Sequence, residues 1–195
     1  LRLNCASQGQ FGLINQTNGT ITVTGASSAN RNATIASSTA YRGYIQCQSA
    51  SSSWFRNAEL FNLGDSGSTS RSGLTVENVN GINSGEFFLL QESALHDSYM
   101  GVRFNSSANL TATYGQGAIT NTFYNIAEYC IYAEGLAAWD NSIRISGNTL
   151  RDSRFGMGVA RTTGPLVFAN NTIYNMGYYG IGLLAEVSSS ANFSN

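Results

Sequence analysis

Ile143–Asp152 reads Ile-Arg-Ile-Ser-Gly-Asn-Thr-Leu-Arg-Asp, and Leu166–Asn175 reads Leu-Val-Phe-Ala-Asn-Asn-Thr-Ile-Tyr-Asn. The apolar positions of the two stretches match at an offset of 23 residues, and Gly, Asn or Asp stands between the apolar runs. Within a run the apolar residues alternate, as Ile143 and Ile145 do, which is the period of a β-strand and too short a run for a helix. The two stretches are therefore copies of an internal repeat of short strands separated by turns.

Further copies of this repeat lie earlier in the chain. Asn121–Asn125 continues it 27 residues upstream, and Leu95–Phe104 matches Leu150–Val159 position by position. Weaker copies begin at Phe55 and at Leu74. A β-sandwich gives no reason for similar residues to recur at an offset of 23 to 28 residues, whereas a solenoid stacks each strand on its equivalent in the next coil.

The repeat predicts an all-β chain folded as a right-handed parallel β-helix of roughly seven coils, each about 4.8 Å along the axis. The prediction is one continuous solenoid domain with regular repeats over residues 51–195 and less regular coils over residues 1–50. Loops are expected to leave the turns at Gly64–Gly73 and Tyr114–Gly117.

Composition agrees with this fold and limits the possible partners. Ser, Thr, Asn and Gly make up 83 of 195 residues, which disfavours a helical bundle. All ten basic residues are Arg, and the net charge is only -1 without any basic run, so nucleic acid is not an expected partner. No stretch approaches 18 apolar residues, so no membrane insertion is expected. We interpret the chain, which begins at Leu1, as a mature or internal fragment of a longer protein.

The pattern Asn-Thr-apolar-x-Asp/Asn, followed by Gly and an apolar residue, resembles the parallel β-helix repeat of pectate-lyase-like proteins, phage tailspikes and many cell-surface proteins. More narrowly, Phe55–Asp65, Ser93–Ser98 and Tyr124–Ala127 are similar, in that order, to the β-helix region of fibrocystin-like extracellular proteins and their hyaluronidase relatives. The resemblance covers roughly residues 55–187 and implies an extracellular or cell-surface location. That family usually has a His-rich segment just before the Leu-His-Asp-Ser stretch, but Phe87–Gln91 contains no His. The resemblance therefore transfers no catalytic residue to this chain.

Cysteines and glycosylation sequons bear on the compartment. One disulfide between Cys5 and Cys47, with Cys130 as a buried thiol, is one possibility; three buried thiols or partners beyond the chain are the others. In a secretory pathway the Asn-x-Ser/Thr sequons would be acceptors for glycans, although several are expected by chance in so Asn-rich a chain. They lie at Asn15, Asn18, Asn32, Asn105, Asn109, Asn170 and Asn192.

Two columns of short polar residues follow from the alignment. The first contains Asp97, Asn125, Asp152 and Asn175. Its carboxylates could bind Ca²⁺ or act as acid and base on a polysaccharide, but Asn in alternate coils favours a structural role in which these side chains cap the turn by bonding backbone N–H groups. The second column contains Asn121, Asn148 and Asn171 and predicts an internal amide ladder.

A third column is predicted on the outer surface and contains His96, Tyr124, Arg151 and Tyr174. Aromatic rings beside Arg suit contact with sugars or with a protein partner, and a solvated face is the remaining interpretation. His96, the only histidine, adjoins Asp97, but neighbours in a strand point to opposite faces, so we expect no hydrogen bond between them. Glu128 and Glu134 cannot be placed at a glycosidase separation from sequence alone.

These features favour a structural or adhesive β-helix domain of an extracellular protein, part of a shaft or filament, whose partners are neighbouring domains or subunits. The alternatives are a polysaccharide-cleaving lyase, hydrolase or tailspike-type depolymerase, and a carbohydrate-binding module that contacts glycans. No Lys is available as a lyase base, and no Gly-rich phosphate loop, nucleophile elbow or metal-ligand cluster occurs. We therefore assign no catalytic residue, no metal and no cofactor.

Overall fold

The computed structural model describes residues 1–10, 12–38, 40–48, 51–77, 87–105, 117–135, 143–161, 166–185 and 191–194. Over these residues the chain is an all-β parallel solenoid, as the repeat predicts, and every pairing between named strands is parallel. Each coil contributes a strand to each of three faces, which we call the first, second and third face in chain order. The described helical structure is one 3-10 turn, Thr69–Arg71.

The first face contains β1 (Arg2–Leu3), β4 (Ala33–Ser37), β7 (Ala58–Phe61), β10 (Ala94–His96) and β13 (Thr122–Tyr124). The second face contains β2 (Gly12–Asn15), β5 (Tyr44–Cys47), β8 (Leu74–Glu77), β11 (Val102–Asn105) and β14 (Tyr129–Glu134). Two long strands, β16 (Thr149–Ala160) and β18 (Thr172–Ala185), run through both faces and join them into one 12-stranded sheet.

The third face is a separate 7-stranded sheet of β3 (Thr20–Thr24), β6 (Ser52–Arg56), β9 (Phe87–Gln91), β12 (Gly117–Ile119), β15 (Ile143–Ser146), β17 (Leu166–Ala169) and β19 (Ala191–Ser194). The coil count differs slightly from the predicted seven, because about five turns consist of three separate strands. In the last turns the strands of the first two faces merge, so β16 and β18 each take the place of two strands.

The core is built from columns of apolar side chains that point inward from equivalent positions of successive coils. Ile145 pairs with Phe168, and Leu150 pairs with Ile173, which confirms the predicted register. Phe123 lies on the other side of Leu150 in the same column, and both side chains are fully buried. Parallel, in-register pairing places like residues about one strand spacing apart, so the alternation that the sequence shows becomes a continuous dry interior.

The corners between faces are formed by residues with positive φ. One column of them joins the first face to the second, and its members are Asn62, Asp97, Asn125, Asp152 and Asn175, with φ between 50° and 57°. Another joins the third face to the first and contains Asn57, Glu92, Thr120, Gly147 and Asn170. Asn, Asp and Gly adopt the left-handed conformation at lower cost than other residues, which explains why they stand between the apolar runs.

The Cys5–Cys47 disulfide is not formed in the structure, where Cys5, Cys47 and Cys130 are all buried thiols. Cys47 lies in an inward column of the second face, between Asn15 and Val76, and its thiol bonds to Ser53. Burial raises the pKa of Cys47, and separately that of Cys130, to about 12. These two thiols are therefore poor nucleophiles at neutral pH.

Candidate functional site

The outer column of the first face forms a continuous stack of rings and cations, which we call the outer stack. The ring of His96 lies between Phe61, with centroids 5.0 Å apart and planes 10° apart, and Tyr124, at 4.5 Å and 7°. Arg151 covers the far side of Tyr124, with its Cζ 4.5 Å from the ring centroid, and Arg2 lies 5.4 Å from the ring of Phe61. The stack thus alternates cationic or cation-capable groups with aromatic rings, an arrangement that favours a charged imidazole.

His96 and Asp97 are hydrogen-bonded, contrary to the expectation from the sequence. The distance from His96 Nδ1 to Asp97 Oδ2 is 2.7 Å. The expectation was wrong because Asp97 is a corner residue with φ of 51°, so the alternation of side chains along a strand ends at His96. The other ring nitrogen, Nε2, lies 3.2 Å from Glu59 Oε1.

The environment of this imidazole is enclosed and acidic. His96 is only 8% exposed, so the predicted outer column contains it without leaving it open to solvent. The hydrogen bond from His96 is the main cause that lowers the pKa of Asp97, and burial raises the pKa of Tyr124. Only the doubly protonated imidazolium can donate to Asp97 and Glu59 at once, so these contacts hold the ring in place most strongly in its charged form.

Two members of the outer stack, Phe61 and Arg2, and its flanking residue Glu59 were not predicted from the sequence. Phe61 precedes the corner residue Asn62 as His96 precedes Asp97, so extending the alignment through the weaker copy at Phe55 would have identified it. Glu59 lies two residues before Phe61 in the same strand and so shares its outward face.

The geometry of the outer stack argues against acid–base catalysis there. Glu59 and Asp97 lie on opposite sides of one imidazole, a separation comparable to that of the carboxylates in inverting glycosidases. The ring of His96 fills the space where a sugar and a water would have to stand, and both of its nitrogens are engaged. The faces of the rings also cover one another, so between Phe61 and Tyr124 only ring edges remain for a ligand.

The Asp/Asn corner column lies outside the core, but its side chains do not bond backbone N–H groups as predicted. Instead they bond one another along the axis: Asn125 Nδ2 donates to Asp97 Oδ1 at 3.2 Å, and Asn175 Nδ2 donates to Asp152 Oδ1. Asp152 also accepts a hydrogen bond from Arg151. Alternation of Asp with Asn keeps like charges two coils apart, which avoids the repulsion that directly opposed carboxylates would suffer.

The predicted capping of the corner is performed by the residue that follows each Asp. Ser98 Oγ accepts a hydrogen bond from Leu63 N, and Ser153 Oγ accepts one from Ile126 N, each at 3.1 Å. Both serines are buried, whereas the Asp side chains face solvent. The Asp and Asn residues thus supply the left-handed backbone, and the serines satisfy the buried N–H groups.

Asn121, Asn148 and Asn171 form an amide ladder inside the solenoid. Asn121 Nδ2 donates to Asn148 Oδ1 at 3.0 Å, and Asn148 Nδ2 donates to Asn171 Oδ1 at 2.9 Å. The Oδ1 atoms also accept from the backbone N–H groups of the preceding coil, at 2.9 Å for Asn121 N and 3.0 Å for Asn148 N. Ser93 begins the series, because its N–H donates to Asn121 Oδ1 at 2.9 Å.

The two glutamates that the sequence could not place have different surroundings. Glu134 is buried, with its carboxylate between Arg103, at 2.5 Å, and Arg161. Glu128 pairs with Arg154 at 2.5 Å on the outside of the chain. Both carboxylates are held by arginines, which leaves neither of them as an evident acid–base group.

The structure divides the candidate glycosylation sites by exposure. Asn15 is buried and its Nδ2 donates to Ser52 O and Ser53 Oγ, both at 2.9 Å, so the folded chain offers no access to it. Asn18, Asn32 and Asn170 are exposed, and Asn105 is half-buried. Asn109 lies outside the described residues, and Asn192 lies in β19.

Among the described residues, no group of three or more His, Cys, Asp and Glu side chains is placed to hold a metal ion. The same part of the chain contains no helix with the length and apolar character needed to cross a membrane. The chain is a parallel β-solenoid protein by its fold. No protein-family model, no curated protein and no solved structure matches it.

Proposed function

We propose that this chain is a structural or adhesive solenoid segment of an extracellular or cell-surface protein, part of a shaft or filament that continues into a neighbouring domain or subunit. The observation that supports this most is the apolar surface at β18. Ile181 and Leu183 continue the inward columns of Met157 and Val159, yet they are 43% and 55% exposed. Leu184, beside them, is 42% exposed.

The free edge of β18 adds a second reason. Within the described residues β18 pairs only with β16, so its other side presents unpaired N–H and C=O groups. An apolar strand with an open edge is a template for another strand and a liability for a protein that leaves it uncovered. One further coil, from a neighbouring domain or subunit, would extend the sheet and bury the apolar side chains together.

The test is the association state of the purified chain. We expect sedimentation equilibrium to show self-association that the double variant Ile181→Glu/Leu183→Glu reduces at least tenfold in affinity, because two charges would have to be buried at the contact. The matched control is Tyr178→Ser, which changes an exposed residue of the same strand that belongs to neither inward column. A wild-type chain that stays monomeric and soluble at high concentration would remove the main support for this proposal.

Carbohydrate binding is the second candidate, and the ring of Tyr178 favours it. This side chain is 71% exposed, and Arg154 lies 5.1 Å from its centroid, so one ring face is supported while the side chain remains open to solvent. A planar face beside a cation can stack on a sugar ring. Glycan-array binding without turnover, lost in Tyr178→Ala, would identify a binding module; release of oligosaccharides would instead identify a polysaccharide-cleaving enzyme.

A further inference from the structure

A cavity of about 140 Å³ lies beside the second face, between the Gly64–Gly73 loop and the segment of the next coil that leads into β11. Its lining is rich in hydroxyl groups and includes Ser66, Ser68, Thr69, Ser72, Tyr99 and Arg103. The volume is enough for about four or five waters at roughly 30 Å³ each, or for one small molecule of that size.

The walls of this cavity are fixed by hydrogen bonds. Tyr99 N donates to Leu63 O, and Met100 N donates to Ser72 O, both at 2.8 Å, so the loop is tied to the next coil at both ends. Gly64 has φ of 100°, and a Cβ there would lie 2.1 Å from Ser72 O. The loop therefore needs glycine at this end to close over the coil, and the cavity is formed before any ligand arrives.

Arg103 supplies the one charged side chain among the described lining residues. Its side chain is 8% exposed, Nη1 donates to Thr69 O at 3.0 Å, and Nη2 donates to Glu134 Oε2 at 2.5 Å. Burial lowers the pKa of Arg103, but a guanidinium remains a cation at neutral pH. Its Nε is a buried donor without an acceptor among the described residues, so the hydrogen-bonding capacity of this cation is not used up.

The lining selects ligands by charge and by hydrogen bonding. Glu134, the carboxylate that pairs with Arg103, is not part of the lining, and it is shared with Arg161. Inside the cavity a ligand meets a cation and several hydroxyl groups, which can donate to an oxygen. This composition suits an acceptor-rich, negatively charged group and offers no anion to bind a cation.

We propose that this cavity binds a small oxyanion, either the carboxylate of a small organic acid or an inorganic anion such as sulfate. Arg103 supplies the charge, and Tyr99 with the loop hydroxyls supplies donors around it. The proposal does not depend on the role of the solenoid in a shaft or filament.

Isothermal titration of the whole chain with sodium sulfate and with sodium lactate tests this proposal; sodium chloride serves as the ionic-strength control and glycerol as the neutral one. We expect saturable binding of at least one oxyanion and none of glycerol. Tyr99→Phe removes one hydroxyl without touching the ion pair and should weaken binding about fivefold. The matched control, Tyr41→Phe, removes a hydroxyl from an exposed tyrosine outside the lining and should leave binding unchanged.

A second variant, Arg103→Gln, should weaken binding at least tenfold because it removes the charge. Arg103 also holds Glu134, so its melting curve must first show a folded chain; if the variant unfolds, the comparison of the two tyrosine variants decides. Saturation by lactate alone assigns an organic acid, and saturation by sulfate alone assigns an inorganic anion. Absence of saturation by both anions, equal binding of glycerol, or unchanged binding in Tyr99→Phe would overturn the proposal.

Discussion

Two columns of short polar side chains run along this solenoid, one inside it and one outside, and a single strand region supplies both. Asn148 belongs to the inner amide ladder and is fully buried, whereas Asp152, four residues later, belongs to the outer corner column and faces solvent. Asn148 is bonded through every side-chain donor and acceptor, to Ala118 O, Asn121 and Asn171. Asp152 bonds only to Asn175 and Arg151, at the surface.

The difference shows that residue type alone does not reveal what a column does. In the inner column the amide is needed for its chemistry, because one group must both donate and accept out of reach of water. In the outer column the side chain is needed mainly for its backbone, since Asn and Asp tolerate the positive φ of the corner. Substitutions along residues 148–152 should therefore have very unequal effects.

The largest effect is expected from Leu150→Asp, between the two columns. Leu150 is fully buried between Phe123 and Ile173, and the substitution would place an unpaired charge among apolar side chains. We expect a loss of more than about 4 kcal/mol in the free energy of unfolding. Urea denaturation measures it, and a melting temperature within about 2 °C of wild type would show that Leu150 does not face the core.

Asn148→Asp should be next in size. The carboxylate could still accept from Asn121, but its second oxygen would face Ala118 O and Asn171 Oδ1, two acceptors that now receive a hydrogen bond. We expect a loss of about 2–4 kcal/mol at neutral pH, because a buried charge would stand against two acceptors. Asn148→Ala, the control without a charge, should also destabilise through the unpaired groups that it leaves. If neither variant loses stability, the inner column is not the hydrogen-bonded ladder described above.

Asn125→Ala tests whether the outer column depends on backbone conformation. Asn125 has φ of 53°, which costs an alanine about 1–2 kcal/mol. Asn125→Gly serves as the matched control, because glycine loses the same side-chain amide but adopts the conformation freely. We expect the alanine variant to be less stable than the glycine variant in thermal denaturation. Equal stability would mean that the bond from Asn125 to Asp97, which both variants lack, matters more than the corner.

Acidification tests the contact between Asp97 and His96. Because the pKa of Asp97 is lowered in the folded chain, its contribution to stability is complete above about pH 4 and is lost as the pH falls through the folded pKa. We expect the free energy of unfolding to fall more steeply below about pH 4 in wild type than in Asp97→Asn. Denaturant titrations at several acidic pH values measure both slopes. Parallel slopes would show that the ion pair contributes nothing.

The smallest effect is expected from Asp152→Asn, the reverse of the exchange at Asn148. The new side chain still offers Oδ1 to Asn175 and still suits the corner, and only a surface pair with Arg151 is weakened. We expect the melting temperature to change by no more than about 2 °C. Loss of a measurable binding or cleavage activity in this variant, with the fold intact, would show that the outer column has a chemical role beyond structure.

The sequence was sufficient for the parallel fold and for the register around Leu150, because alternation and a constant offset specify both which residues point inward and which residues stack. It was insufficient where the path leaves the strand. The contact between His96 and Asp97 depends on one left-handed residue, and the alternation rule used to exclude it holds only within strands. Similarly, the register placed Cys47 under Asn15 and away from a disulfide, which three cysteine positions alone could not reveal.

The ion pair between Arg103 and Glu134 was missed for a different reason. These residues are 31 apart, whereas Tyr124 and Arg151, which stack in the outer column, are 27 apart, because the loops between faces differ in length from coil to coil. An offset taken from one face therefore does not transfer to another. The cavity beside Arg103 depends on such a loop, Gly64–Gly73, and so could not be derived from the repeat.

The corner residues have a consequence for how such a protein can change in evolution. Each corner holds its shape through a local backbone conformation, and each coil bonds only to the coils directly above and below it. Duplication or deletion of a segment of 23 to 28 residues would therefore move the rest of the rod by about 4.8 Å without altering its cross-section. Length can thus be inherited separately from shape, in whole-coil steps, through unequal recombination within the repeated part of the gene.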